Sequence, residues 1–132
     1  MNVEEVKRIS IESKRDKWPY PKTFHALLEA GVTSYRTSVS NNHTVYEGEN
    51  SQYEDRDGAL ASTLEVAELF QADAVRKGLE HHQKHRTSYF DFLKDMAEAG
   101  VQFYEVNMSA RAICYTSGRA EESYSETIPL LN

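Results

Sequence analysis

Cysteine, tryptophan, proline and basic charge are all scarce in this 132-residue chain, and each shortage closes off a class of function. Cys114 is the single cysteine, so no intrachain disulfide and no cysteine-based zinc site can form. Its place between Ile113 and Tyr115 reads as a buried, inert thiol in a strand. No apolar run approaches the roughly 18 residues that a membrane-spanning helix needs. The opening MNVEEVKRISIESKRDK alternates charge with single aliphatics and lacks the apolar segment of a secretory signal, so a cytoplasmic protein is expected. The six glycines are scattered and form no phosphate-cradling loop. Acidic side chains outnumber Lys and Arg by 21 to 15, for a net charge of −6. The densest basic run, Lys84-His85-Arg86, is too short to follow a phosphate backbone, so no nucleic-acid partner is expected.

What the chain does have is aromatic side chains and an internal echo. Five Phe, eight Tyr and one Trp supply bulky core material with polar edges. At this length a single domain can bury about two-thirds of its unfolded surface. Tyr20 to Tyr46 and Tyr89 to Tyr115 align without a gap at an offset of sixty-nine residues. Identical positions are Tyr20/Tyr89, Glu29/Glu98, Ala30/Ala99, Gly31/Gly100, Val32/Val101, Tyr35/Tyr104, Ser40/Ser109 and Tyr46/Tyr115. One local packing solution used twice is a statement about architecture, not about chemistry.

Periodicity places the elements. Val3, Val6 and Ile9 recur at helical spacing from Asn2 to about Ser13, and Trp18-Pro19-Tyr20-Pro21 ends that helix. A second helix from Lys22 to Ala30 carries Phe24, Leu27 and Leu28 on one face and stops at Gly31. Tyr35, Thr37 and Val39 then alternate with polar residues as in a half-buried strand, Asn41-Asn42 turns, and Thr44-Val45-Tyr46 returns. Gly48 to Gly58 reads as an acidic loop or strand end, and Leu64 to Leu69 as a short strand or the start of a helix. A third helix follows from Asp73 to about Arg86. A fourth, capped by Thr87 or Ser88, carries Phe92, Leu93, Met96 and Ala97 and closes at Gly100. Val101 to Met108 and Ala112 to Tyr115 repeat the hairpin, and Tyr124 to Pro129 adds an edge strand. Neither helix-strand-strand half could bury its apolar face alone. The fold expected is therefore one α+β domain spanning 1–132, its two halves joined in one antiparallel sheet with helices on one face.

Candidate chemistry is sparse. His81 and His85 stand four apart on the third helix, a spacing that lets two imidazoles share a metal, but no further ligand is marked. A polar last helical turn, where His suits the helix dipole, is the favoured account of them. His25 and His43 lack a nucleophile in any recognisable context. Glu47, Glu49, Glu54, Asp55 and Asp57 do not follow the order of a calcium loop and read as solvated. Tyr124 and Glu126 share strand parity and project to one face, where a tyrosine–carboxylate pair could hold a ligand amine or act as an acid–base couple. No cofactor is called for.

The second half, from Tyr89 through Phe92, Leu93, Ala99, Gly100, Val101 and Tyr104 to Tyr115, with the closing Tyr124, Glu126 and Pro129, resembles domain-of-unknown-function family 1398. Members of that family are small bacterial and prophage proteins labelled phage-envelope-protein-like. The resemblance implies an α+β domain of about this length and carries no catalytic residues with it. Two readings of function follow. The first is a noncatalytic interaction module that binds a protein partner or a second copy of itself, drawing on tyrosines and an exposed edge strand. The alternative is a small-molecule- or metal-binding protein, possible enzyme included, with Tyr35, Tyr104, Tyr115 and Glu126 lining a pocket between sheet and helices. A concave pocket with converging polar groups favours the second; a filled interior favours the first. Tyr35 and Tyr104 fully packed with satisfied hydroxyls would remove the pocket version of the second reading.

Overall fold

The structure, a computed structural model, describes residues 1–56 and 63–129. In chain order it runs α1 (Val3–Arg15), α2 (Tyr20–Glu29), β1 (Val32–Ser38), β2 (Thr44–Gly48), β3 (Gln52–Asp55), α3 (Ala72–His85), α4 (Tyr89–Glu98), β4 (Phe103–Asn107), β5 (Ala112–Thr116) and β6 (Ser123–Thr127). The strands form one sheet in the order β3-β2-β1-β4-β5-β6, and every neighbouring pair is antiparallel. The fold is α+β, as the sequence leads one to expect.

Local chemistry sets the helix ends. The Asn2 side chain accepts from the Glu5 N–H at 3.1 Å, and Arg8 bridges Glu5 and Glu12 along α1. Pro21 lies in the first turn of α2, where its missing N–H is no loss. Ser88 caps α4, its hydroxyl accepting from the Asp91 N–H at 3.1 Å. Gly31 and Gly100 follow α2 and α4 in the left-handed region, at φ +94° and +86°. A side chain at Gly100 would also collide with the chain, its Cβ 2.4 Å from the Leu69 carbonyl oxygen.

The sheet has a covered and an open face. Tyr35, Thr37, Thr44, Tyr46, Tyr104, Val106, Ile113 and Tyr115 are buried on the inner face, whereas Arg36 and Glu105 are exposed on the outer one. Val6 and Ile9 of α1, Phe24 and Leu27 of α2, Val75 and Leu79 of α3, and Phe92, Leu93 and Met96 of α4 complete the core. Each such side chain contributes roughly 1.5–3 kcal/mol through burial.

Two segments depart from the sequence reading. Within the acidic stretch after Gly48, Gln52–Asp55 forms a strand, pairing Tyr53 with Tyr46 and Asp55 with Thr44. Its short alternation is hidden by acidic neighbours; Asp57 and Gly58 lie outside the described residues. Leu64 to Leu69 is neither helix nor strand. Backbone bonds from Leu64 N–H to the Ser40 carbonyl and from Ala67 N–H to the Ala97 carbonyl pin it instead, satisfying two of its donors without a ladder.

The sixty-nine-residue offset also relates backbone features outside the aligned segments. α1 and α3 begin at Val3 and Ala72, and α2 and α4 at Tyr20 and Tyr89. Left-handed backbone recurs at Lys17 and Arg86 (φ 51° and 49°) and at Asn42 and Arg111 (φ 60° and 50°). At the centre of the sheet, Arg36 of β1 stands opposite Glu105 of β4, two positions related by the same offset.

Candidate functional site

Between the helices and the inner face of the sheet lies a cavity of about 490 Å³. All four helices line it: Ile9 and Lys14 from α1, Tyr20 from α2, Leu79 and His82 from α3, and Phe92 from α4. Tyr35, Tyr46, Tyr104 and Tyr115 form its sheet side. Trp18 also borders it.

Tyrosine hydroxyls in this wall bond to one another. Tyr20 pairs with Tyr35, and Tyr89 with Tyr104 at 2.6 Å, the same two positions in each half. The Tyr89 hydroxyl also lies 2.8 Å from Asn42 Oδ1, and Thr37 and Thr44 pair at 2.8 Å. Burial pushes the phenols of Tyr20, Tyr35, Tyr46, Tyr89, Tyr104 and Tyr115 above their ordinary range, so they remain neutral donors and acceptors. Tyr35 and Tyr104 are buried with satisfied hydroxyls, yet their rings still border open space. They are wall rather than polar anchor.

The ionisable groups sit elsewhere on the lining. Lys14 Nζ donates to Ser10 Oγ at 3.1 Å, and Ser10 Oγ donates to Asp55 Oδ2 at 3.3 Å. Burial lowers the Lys14 pKa, partly opposed by the charge of Asp55, and its ammonium lies 4.6 Å from the Tyr89 ring centre. Glu126, half-buried on β6, has its pKa raised by burial, opposed by hydrogen bonding from Tyr124 and Gln83. His82 Nδ1 lies 2.6 Å from Thr87 Oγ1, its ring is 5.1 Å from Phe92, and burial lowers its pKa.

Of the residues singled out in the sequence, Tyr35, Tyr104, Tyr115 and Glu126 come together around the cavity. Tyr124 points to the same face and reaches Glu126 at 3.5 Å, but it does not border the cavity. His81 and His85 are exposed on the last turn of α3 with ring centres 4.8 Å apart; among the described residues, no group of three or more possible ligands includes them. The histidine that faces the cavity is their neighbour His82. Sequence reasoning missed Ser10 and Lys14, and it read Asp55 as solvated, whereas pairing of β3 with β2 buries it beneath Ser10. Part of the signal was present, since Lys14 and Ser10 are four apart on α1.

Among the described residues no helix is long and apolar enough to cross a membrane. No curated protein matches the chain. A family model described as "Protein of unknown function (DUF1398)" matches residues 8–127, which takes in all of α1 after its first five residues, the other three helices and the whole sheet. The chain belongs to that family.

Proposed function

We propose that this protein binds a small organic molecule in the cavity between its helices and its sheet. The observation that carries this reading is the cavity itself: about 490 Å³, walled by aromatic and aliphatic side chains, with Lys14, Lys17, His82, Arg86 and Glu126 on its lining. That combination of apolar wall and few polar groups is characteristic of ligand pockets, and the volume falls in their usual range of roughly 300–1,000 Å³. Because the hydroxyls of Tyr20, Tyr35, Tyr89 and Tyr104 already bond one another, the polar contacts to a ligand fall to other groups of the lining, chiefly Lys14, Lys17, His82, Gln83, Arg86 and Glu126, while the rings supply shape and apolar contact.

The interaction-module reading takes second place. Its apolar contact material, Ile11, Leu28, Leu69 and Phe90, is spread over α1, α2, the 63–71 segment and α4. β3 and β6 do leave open sheet edges.

Trp18 is the only tryptophan and borders the cavity, so its emission reports occupancy. A metabolite panel screened by thermal shift should yield ligands that raise Tm by mass action and change Trp18 fluorescence. Thr23→Phe, which places a large ring on the lining without adding a second tryptophan, should abolish both responses, and Lys94→Ala on the exposed side of α4 should leave them intact. A flat screen, or hits indifferent to Thr23→Phe, would overturn the reading.

A further inference from the structure

Asp55 and Glu126 hold matching places in the sheet. Asp55 of β3 stands opposite Thr44 of β2, Glu126 of β6 stands opposite Ile113 of β5, and Thr44 and Ile113 are sixty-nine residues apart. The helices above them differ at matching positions. Where α1 has Ser10 and Lys14, α3 has Leu79 and Gln83. The first carboxylate accordingly has a hydroxyl donor and, beyond it, an ammonium. The second has the Tyr124 phenol and the Gln83 amide, and among the described residues no Lys, Arg or His forms an ion pair with it. A partly buried carboxylate without a cation is an unfavourable arrangement that a cationic partner relieves.

The aromatic surroundings match as well. The ring that receives the Lys14 ammonium belongs to Tyr89, and its counterpart in the other half is Tyr20, which borders the cavity together with Glu126. The second half thus presents a carboxylate, an aromatic ring and cavity space, with the internal ammonium missing. Lys14 is a weak competitor for such a cation, since Asp55 offsets its charge and burial disfavours its protonated form. Lys17 and Arg86 also border the cavity, but both are exposed, and among the described ion pairs neither is joined to Glu126.

Resting on the cavity reading above, we propose that the ligand is an organic amine, an ammonium on an apolar body, whose nitrogen lies between the Glu126 carboxylate and the Tyr20 ring. There it takes the role that Lys14 plays in the other half.

Calorimetric titration of the full chain at pH 7 with 2-phenylethylamine, 2-phenylethanol and 3-phenylpropanoate tests this assignment. The three probes share an apolar body and differ in the charge of the head. The amine should bind at least about tenfold more tightly than the alcohol, about 1.4 kcal/mol. Glu126→Gln should reduce amine affinity to that of the alcohol. Gln83→Lys, which supplies an internal ammonium at the position matching Lys14, should do the same; Gln83 is exposed, so this variant is expected to fold. An amine no tighter than the alcohol, a preference for the carboxylate, or an amine preference that survives both substitutions overturns the amine assignment and leaves the cavity reading standing. If none of the three binds while the wider screen gives a neutral or acidic hit, the assignment again falls alone. If none binds and that screen is flat, both readings fall.

Discussion

The two halves of this molecule share a backbone plan and differ in what they place against the cavity. Each runs helix, helix and three strands, with left-handed residues at matching positions and paired tyrosine hydroxyls at matching positions. The first half closes its own charge, with Lys14, Ser10 and Asp55 in a chain; the second gives Glu126 the neutral donors Tyr124 and Gln83 and the like charge of Glu80, with no cation paired to it among the described residues. Shared features are those that folding requires: helix stops, strand alternation and a satisfied aromatic layer. The features that differ face open space. Function is therefore sought in the asymmetry, since packing alone does not demand it.

The matching glycines provide the largest contrast. Both are left-handed, so an alanine at either is strained by about 1 kcal/mol. At Gly100, which is buried, the added Cβ would also stand 2.4 Å from the Leu69 carbonyl oxygen and 2.7 Å from Phe70 Cα, backbone that cannot swing aside. At exposed Gly31 the nearest atom is Met1 Cα at 2.9 Å. Gly100→Ala should lose about 3 kcal/mol or more in urea unfolding, and Gly31→Ala about 1–2 kcal/mol. Equal losses would mean that the 63–71 segment yields freely and does not brace the second half.

The matching carboxylates should respond with opposite signs. Asp55→Asn weakens the bond from Ser10 and strips Lys14 of its counter-charge, so stability should fall by about 1–2 kcal/mol at pH 7. Glu126 behaves otherwise because burial raises its pKa above the ordinary 4.5. A carboxyl with a raised folded-state pKa favours folding below its unfolded value, and that contribution disappears as pH rises through the folded value. Glu126→Gln should therefore be more stable than the parent at pH 7, with the difference shrinking toward zero by pH 4. Denaturant melts at the two pH values check this. A Glu126→Gln variant less stable at pH 7 would indicate that the carboxylate has a cationic partner after all.

How much of this was legible in the sequence depended on the length of each signal. Gly31 and Gly100, the Ser88 cap and the Tyr35/Thr37 alternation each announce local structure through one residue type or one period, and the structure places them accordingly. β3 escaped because four residues, two of them acidic, are too short for a two-residue beat to stand out. The cavity belonged to the alternative reading, and the tyrosines that suggested it turn out to be its wall. Lys14 and Asp55, forty-one positions apart, meet through Ser10 only once β3 has joined the sheet, and no local pattern encodes that meeting. His82 rather than His81 or His85 faces inward because Leu79 and Val75 fix which side of α3 packs on the sheet.

The smallest effect is expected where the two halves meet. Arg36 and Glu105 face each other across the central strand pair, on the open side of the sheet, with an Nε–Oε1 distance of 3.2 Å and side chains 51% and 47% exposed. Exposed ion pairs contribute roughly 0–1 kcal/mol. Exchanging the two, Arg36→Glu with Glu105→Arg, keeps the opposite charges in register. The exchange is not fully symmetric, however, because the Arg36 guanidinium also lies 3.7 Å from the Phe103 ring centre, and the position matching Phe103 is Ser34. The swapped pair should therefore lose only the cation–aromatic contact, about 0.5 kcal/mol at an exposed site. In a Phe103→Leu background the swap should be neutral. A loss well above 1 kcal/mol in that background would mean that the central strand pair distinguishes its two sides by charge, an asymmetry that its register alone does not contain.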